Sequence, residues 1–193
     1  NAYASDPISA FGGVIACNYK ISTKIASEIN KNFLEVLLAK GFDKDSLKIL
    51  KGRKNLRIID ISNFKLKNLS SIKSFDRSFL IQSKDNIIVD KKKLRCVTKL
   101  KPSKKEMIEI QFAFNICKHV KSNAIVLCNN FSTIGIGAGQ PSRLDSCKIA
   151  VEKAKQFQSS KIRNSIAASD AFFPFADGIK ILIEAGVKTI IQP

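Results

Sequence analysis

Three alternating glycines, Gly135, Gly137 and Gly139, form one stretch of this sequence that could support chemistry. They precede a predicted helix at 142–157, so their backbone could approach a ligand closely while the helix N-terminus binds an anion. The spacing differs from the Gly-x-Gly-x-x-Gly of a dinucleotide site. Tight packing of a strand against the helix would explain the same glycines, so both interpretations stay open at this stage.

A second stretch, residues 170–175, reads Asp-Ala-Phe-Phe-Pro-Phe and is soon followed by Asp177. Aromatic side chains on a rigid turn could stack on a flat heterocycle, or they could seal the edge of a core. Two further stretches are polar. Residues 6–13 contain a turn-forming proline and two glycines, and Asn123 lies at a helix-to-strand junction. Asn123 could donate to a ligand oxygen or simply cap the end of the helix.

The spacing of apolar residues predicts the elements that would position these stretches. The first half alternates strands with helices, which indicates an α/β layer with parallel strands; the strands are at 13–17, 33–39 and 56–61 and the helices at 22–31 and 43–50. Segment 62–93 is polar and irregular, apart from short extended pieces at 79–81 and 87–89. Beyond residue 93, the sequence predicts strands at 94–100, 124–128 and 187–192, helices at 103–121, 142–157 and 177–185, a glycine-rich segment at 133–139, and a loop that runs to 169. Two α/β units, 1–101 and 102–193, are therefore expected.

The chain is strongly basic, since 33 Lys and Arg residues stand against 16 Asp and Glu residues in 193 and give a net charge of +17. Such an excess is typical of nucleic-acid-binding proteins. However, only 6 of the basic residues are Arg, the residue that binds phosphate and guanine bidentately, and the lysines are spread along the chain. The densest run, Lys91–Lys93, suits a solvated loop or the guard of an edge strand. Together with 27 Ile and 13 Asn, this composition favours a coding bias toward A and T.

The five cysteines are scattered at positions 17, 96, 117, 128 and 147, and His119 is the only histidine. None has the spacing of a zinc finger, a Cys-X-X-Cys redox site or a deaminase metal site, so we expect no catalytic metal. An odd, scattered set is typical of reduced thiols in a cytoplasmic protein, where most would be small core residues. No apolar run approaches the roughly 20 residues of a membrane span, so no membrane partner is expected.

The four stretches, taken together and in this order, closely resemble one family. They read Asp-Pro-Ile-Ser-Ala-Phe-Gly-Gly from Asp6, Val-Lys-Ser-Asn-Ala-Ile-Val from Val120, Thr-Ile-Gly-Ile-Gly-Ala-Gly-Gln-Pro-Ser-Arg from Thr133, and Ala-Ser-Asp-Ala-Phe-Phe-Pro-Phe-Ala-Asp-Gly from Ala168. This set resembles the AICAR transformylase domain of the bifunctional purine biosynthesis proteins, which combine a formyltransferase with an IMP cyclohydrolase. The resemblance runs through essentially all 193 residues and is loosest over 62–93.

The resemblance implies a fold, a reaction and partners. The family transfers a formyl group from its co-substrate 10-formyltetrahydrofolate to the 5-amino group of AICAR ribonucleotide, in the de novo synthesis of the purine nucleotide IMP. Its domain resembles a duplicated cytidine-deaminase-like α/β fold, with three-layer αβα units and no zinc, and it works as a homodimer. A cytoplasmic enzyme that binds AICAR ribonucleotide and folate, and not nucleic acid, is therefore implied.

By motif position, the resemblance also implies roles on the nucleotide side of the site. Asp6 and Phe172 match residues that contact the AICAR nucleotide. Asn123 matches the residue between AICAR and the formyl group, where a side-chain amide can hold the carboxamide and polarise the formyl oxygen. The resemblance thus implies that Asn123 takes part in catalysis by positioning and polarising.

On the folate side, the resemblance implies that Arg143 contacts the folate and that the carboxylate of Asp177 hydrogen-bonds the pterin. Pro174 and Phe175 would wall the pterin pocket. One departure lies beside this group, because Ala176 stands where the family often has Arg. An outer charge contact to the folate is therefore expected to be missing here.

Two further departures concern Pro141, which stands where Met or Gln is expected, and the family's Lys-His pair. That pair, whose His is the expected proton acceptor, belongs upstream of Asp6 and outside these 193 residues, and His119 does not match it. Since the sequence opens on Asn1 and ends on a predicted strand, we expect a piece of a longer enzyme that is inactive alone. Two alternatives stay open: a basic nucleic-acid-binding protein, and a degenerate paralogue that binds folate without formyl transfer.

The nucleic-acid alternative can be tested by titration against salt. Because the lysines are dispersed and Arg is scarce, we expect no nanomolar complex with DNA or RNA at physiological ionic strength. Binding of single- and double-stranded probes, measured over a range of salt concentrations, checks this. Nanomolar affinity with a steep salt dependence would instead favour the nucleic-acid-binding protein.

Overall fold

The computed structural model describes residues 2–65 and 70–193, and the chain divides into two compact units. One unit is Ile8–Asn86, and the other combines Asn1–Pro7 with Ile87–Pro193. The sequence predicted a division near residue 102 instead; the assignment of 1–101 and 102–193 to two transformylase subdomains stays a prediction. Residues 66–69, which belong to the polar segment predicted at 62–93, lie outside the described residues.

The smaller unit is built on a three-stranded parallel sheet in the order β1-β2-β3. Its elements are β1 (Gly13–Cys17), α1 (Thr23–Asn30), β2 (Leu34–Ala39), α2 (Lys44–Lys51), β3 (Arg57–Asp60), and a separate antiparallel hairpin of β4 (Ser71–Phe75) and β5 (Ser78–Gln82). The predicted alternation of parallel strands and helices is therefore confirmed. One core cluster joins the sheet to both helices, with Leu37 and Leu50 fully buried at its centre.

The larger unit contains a mixed four-stranded sheet in the order β7-β6-β8-β9. Its elements are α3 (Lys104–Cys117), β6 (Ile125–Asn129), β7 (Ser132–Gly137), α4 (Arg143–Gln158), β8 (Ser165–Ser169), α5 (Ala176–Glu184) and β9 (Val187–Ile191). Strand β6 runs antiparallel to both β7 and β8, whereas β8 and β9 are parallel. Short 3-10 helices cover Ala2–Ser5, Lys91–Lys93 and Ser159–Lys161.

Helices cover both faces of this mixed sheet, which gives three layers. Because side chains alternate along a strand, Ile125 and Leu127 of β6 join the cluster formed with α4 and α5. Val126 and Cys128 point to the opposite face and pack with α3. Strand β6 is therefore buried on both sides, which agrees with its continuous apolar sequence.

Helix α3 begins with a capping box, and the two residues that form it, Ser103 and Glu106, have the three-residue spacing of that motif in the sequence. The Ser103 hydroxyl accepts the Glu106 N–H, and the Glu106 carboxylate accepts the Ser103 N–H at 2.8 Å. Lys188 of β9 donates to the same carboxylate at 2.6 Å. Hydrogen bonds from Lys188 and then Ser103 lower the pKa of Glu106 to about 2. The start of α3 is thereby tied to strand β9.

Two predictions for the larger unit are wrong. Segment 94–100 is not a strand, because the Cys96 thiol and the Thr98 hydroxyl both donate to the Leu100 carbonyl and hold a local turn. The predicted loop before 170 contains β8, which lies in the middle of the sheet. Its sequence Ser-Ile-Ala-Ala-Ser has little intrinsic strand propensity, so only tertiary packing specifies it.

The alternating glycines on β7 let α4 approach the sheet at backbone distance. A Cβ at Gly137 would lie 1.9 Å from the Ser146 carbonyl oxygen, and one at Gly135 would lie 2.1 Å from that of Ala150. These contacts confirm tight strand-helix packing for those two glycines. Gly139, just beyond β7, instead has a positive φ of 69°, which suits a turn.

The cysteines are free, and all except Cys96 are buried. Burial raises the pKa of Cys117 and Cys128 to about 12 and that of Cys147 to about 11. These thiols stay protonated at neutral pH, so the prediction that most cysteines are small core residues is confirmed. Within residues 2–65 and 70–193, no helix is long and apolar enough to cross a bilayer.

The glycine contact on β7 predicts a large loss of stability on adding one methyl group. Gly137→Ala forces α4 away from the sheet, so the free energy of unfolding should fall by about 3 kcal/mol. Urea denaturation followed by circular dichroism measures this. Gly52→Ala is the control, since its Cβ would lie 3.5 Å from the nearest atom, the Ile49 carbonyl oxygen; it should be neutral or stabilising by about 0.5 kcal/mol. Equal effects of the two changes would contradict the packing argument.

Candidate active site

Arg143, the first residue of α4, holds the candidate site together through its guanidinium group. Nη1 donates to the Asp170 carboxylate at 2.5 Å and to the Ser169 hydroxyl at 2.8 Å, at the end of β8. Nη2 donates to the Asn123 side-chain oxygen at 2.7 Å, just before β6. The Arg143 and Asp170 side chains are only 12% and 17% exposed, so this is a largely buried ion pair.

Every polar atom of Asn123 has a partner in this network. Its side-chain Nδ2 donates to the carbonyls of Gln140 and Pro141, each at 2.9 Å. Its backbone N–H donates to the Gln140 carbonyl at 3.2 Å, and its own carbonyl accepts the Ser146 hydroxyl at 2.8 Å. The peptide bond between Ser122 and Asn123 is cis. Asn123 is thus held by the loop before α4 and by α4 itself.

These partners fix which way the Asn123 amide faces. A guanidinium can only donate, so the atom beside Arg143 must be the oxygen, and two carbonyls can only accept, so the atom beside them must be the nitrogen. Both N–H groups are therefore occupied, and one lone pair of the oxygen is taken by Arg143. The capacity left for a ligand is that of a hydrogen-bond acceptor.

Asp170 carries the negative charge of the network. Its carboxylate also accepts the Ala124 N–H at 3.0 Å, which ties it to the start of β6. Burial by itself would raise the pKa of Asp170, but hydrogen bonds from Ser122, Arg143 and the Ala124 N–H outweigh it and lower the pKa below 3.8. Asp170 is therefore ionised at neutral pH and balances the charge of Arg143.

A cleft of about 220 Å³ opens beside Arg143, between the N-termini of α4 and α5. Phe173 packs into the core, and its ring lies within 3.1 Å of the position that a Cβ on Gly178 would take. Phe172 and Phe175 are 62% and 73% exposed. One phenylalanine thus seals the core edge while two are free to meet a ligand. The cleft is lined by Ser142, Arg143, Leu144, Phe173, Pro174, Phe175, Asp177 and Gly178.

Asp177 lies in the first turn of α5, where its exposed carboxylate accepts the Gly178 N–H at 2.7 Å. All four predicted folate-side residues therefore line one cleft: Arg143, Pro174, Phe175 and Asp177. Phe172 is exposed but does not belong to that lining. The ligand contacts expected for these five residues stay predictions.

Asp6 is held at a different part of α4. Its carboxylate accepts a hydrogen bond from Lys153 Nζ at 2.8 Å, and the same ammonium lies 5.6 Å from the centre of the Phe157 ring. Lys153 is ten residues beyond Arg143, which corresponds to about 15 Å along a helix. The structure therefore brings Asn123 and Arg143 together and anchors Asp6 further along the helix; its contact with AICAR stays a prediction.

Sequence reasoning did not assign a role to Asp170 or Ser169, although both belong to a recognised motif. The one available signal was a carboxylate directly after a run of small residues, at the end of what is now β8. Across the part of the chain that the structure describes, no group of three or more His, Cys, Asp or Glu side chains could hold a metal ion.

Comparison with known proteins identifies the family. The family model described as AICARFT/IMPCHase bienzyme matches residues 1–153, so the chain belongs to this family. The family resemblance seen in the four sequence stretches is thereby confirmed.

Individual relatives carry the name bifunctional purine biosynthesis protein PurH. The chain is 44% identical over 200 residues to the protein from Bartonella henselae, 43% over 192 residues to that from Thermoanaerobacter sp., and 41% over 192 residues to that from Aquifex aeolicus. Each match covers 100% of this chain but 37% of the relative. The chain therefore spans just over a third of the length of these curated relatives.

The buried ion pair predicts a stability difference that depends on pH. Asp170→Asn removes the charge opposite Arg143, so the free energy of unfolding at neutral pH should fall by about 2 kcal/mol. Because the folded-state pKa is lowered, this contribution is present above 3.8 and is lost as the pH falls through the folded-state value. The difference in stability between wild type and variant in urea denaturation should therefore shrink as the pH is lowered from neutral to below 3.8.

Asp145→Asn serves as the matched control. Asp145 lies in the first turn of α4, close to Arg143 in the sequence. However, its side chain is 52% exposed, and its carboxylate lies 3.4 Å from Lys148 Nζ. Its loss should change stability by less than about 0.5 kcal/mol. If Asp170→Asn behaves like this control at neutral pH, the ion pair does not stabilise the fold.

Proposed function

We propose that this chain forms part of an AICAR formyltransferase that acts in purine nucleotide synthesis, in a longer protein that also carries an IMP cyclohydrolase. Membership of the AICARFT/IMPCHase family is the observation that carries the proposal. In the proposed reaction, the 5-amino nitrogen of AICAR ribonucleotide bonds to the formyl carbon while the bond from that carbon to N10 of the folate breaks. The amino group loses a proton, N10 gains one, and tetrahydrofolate leaves.

The cleft beside Arg143 supports a folate site for chemical reasons. A pterin is flat and apolar on its faces, and Pro174 and Phe175 offer apolar surface at the cleft. Its edge carries paired N–H donors, which a carboxylate such as Asp177 can accept. Arg143 has five N–H donors, of which three are used within the protein, so it retains capacity for a folate oxygen.

On the nucleotide side, the proposal assigns AICAR contacts to Asp6, Phe172 and Asn123. Asn123 is suited to hold a reacting group because its side chain is already ordered, so little entropy is lost on binding. With both N–H groups occupied, it is suited to accept an N–H of AICAR and so to position the nucleotide, whereas polarising the formyl oxygen would require a donor that these contacts already use. The proton acceptor in the proposal is the His of the family's upstream Lys-His pair.

The proposal extends to fold family, assembly and location. We propose that the protein repeats a cytidine-deaminase-like unit, works as a homodimer and acts in the cytoplasm without a catalytic metal. The three-layer arrangement around β7-β6-β8-β9 is consistent with such a unit.

Formyl transfer by the full-length gene product tests the proposal. Purified protein should release tetrahydrofolate from 10-formyltetrahydrofolate only when AICAR ribonucleotide is present. Asn123→Ala should lower kcat by about 100-fold, because the substrate loses an oriented partner at the reacting centre. The free energy of unfolding should fall by far less than the increase in activation free energy to which the roughly 100-fold loss of kcat corresponds.

Asn129→Ala is the control for this variant. Asn129 lies at the opposite end of β6 and donates to the Lys161 carbonyl at 2.7 Å. Its removal should cost about 1 kcal/mol of stability and leave kcat unchanged. Wild-type turnover in Asn123→Ala would remove the role assigned to Asn123. Folate binding by the wild type without any AICAR-dependent release of tetrahydrofolate would favour the degenerate paralogue.

A further inference from the structure

Asp170 reaches the Asn123 segment by two separate routes. The first passes through the Arg143 guanidinium, which contacts Asp170 at 2.5 Å and Asn123 at 2.7 Å. The second is the Ala124 N–H, which donates to the same Asp170 oxygen at 3.0 Å from the residue next to Asn123. One carboxylate oxygen thus controls both the side chain of Asn123 and the backbone beside it.

We propose that Asp170 is a positioning residue for the formyl transfer. Acting through Arg143, it holds the Asn123 amide with both N–H groups on the carbonyls of Gln140 and Pro141, and with the oxygen presented as an acceptor. The catalytic consequence rests on the function proposed above. The positioning itself rests only on the contacts.

The rigid geometry of the guanidinium links the position of Asp170 to the orientation of the Asn123 amide. Arg143 is planar and rigid, so fixing Nη1 on Asp170 and Ser169 also fixes where Nη2 points. Nη2 then requires an acceptor, which keeps the Asn123 oxygen toward Arg143 and turns its nitrogen toward the two carbonyls. Without the carboxylate, a guanidinium that is only 12% exposed would lose its counter-charge and would reorient.

A general structural role for Asp170 would give different kinetics. If Asp170 only stabilised the fold, its loss would act independently of Asn123, and the two effects on kcat would multiply. If Asp170 acts through Asn123, removing Asp170 should not lower kcat further once the Asn123 side chain has been removed. A double-mutant cycle separates the two cases.

The cycle is made in the full-length gene product with Asp170→Ala, Asn123→Ala and the double variant. Asp170→Ala should lower kcat by about 10- to 100-fold. The double variant should be no slower than Asn123→Ala. Multiplying losses, or an unchanged kcat in Asp170→Ala, would overturn the proposal.

Two further variants guard against misfolding. Asp170→Asn keeps an oxygen for Arg143 and Ala124, so it should retain more activity than Asp170→Ala and remain folded if the alanine variant does not. Asp145→Ala, which changes an exposed residue in the first turn of α4, should leave kcat unchanged. Equal kcat values in Asp170→Ala and Asp145→Ala would count against a specific role.

A measurement that needs no turnover keeps this proposal separate from the proposed function. In the wild-type protein, the side-chain NH2 protons of Asn123 should exchange slowly with solvent, because both are hydrogen-bonded. NMR of a protein labelled with 15N should show this protection lost in Asp170→Ala or reduced in Asp170→Asn. If the wild type proves inactive, the proposed function fails while this comparison still decides the positioning. Fast exchange in the wild type, or identical exchange in the variants, would overturn it.

Discussion

A single buried cation, Arg143, is the constraint on which the candidate site depends. Taking a guanidinium out of water costs several kcal/mol unless its donors and its charge are matched. Asp170 supplies the charge, and Ser169 and Asn123 supply further acceptors. These partners come from the end of β8 and from the residues before β6. Satisfying one side chain therefore fixes the start of a helix against the ends of two neighbouring strands.

The glycines of β7 make this arrangement sterically possible. Arg143 can reach the end of β8 only because α4 lies close to the sheet, and that distance is set by Gly135 and Gly137, where any Cβ would collide with helix carbonyls. Ser146, whose carbonyl faces Gly137, also uses its hydroxyl to bind the Asn123 carbonyl. The glycine motif thus contributes to the site by positioning α4.

Signals carried by neighbouring residues predicted much of the fold, whereas features that depend on contacts between distant residues were missed. Strand β1 was predicted because two glycines end a loop directly before a short apolar run, and helix α3 because Ser103 and Glu106 have capping-box spacing. Strand β8 was missed because alanine and serine carry no strand signal; it is defined only by β6 and β9 on either side. Arg143 was singled out by its motif, but its pairing with Asp170, 27 residues later, is a tertiary fact that spacing cannot give.

The net charge of +17 and the largely buried Arg143 illustrate two different uses of positive charge. Exposed lysines are screened within about 8 Å at physiological ionic strength, so dispersed charge creates at most a weak field that attracts anions. Arg143, whose side chain is 12% exposed, acts at hydrogen-bond distance, where the direction of each N–H matters as well as the charge. A lysine in its place would keep the charge but could not hold Asp170 and Asn123 in fixed directions, because an ammonium has no rigid fork. The orientation of Asn123 therefore depends on the geometry of one of the 6 arginines and not on the dispersed charge of the lysines.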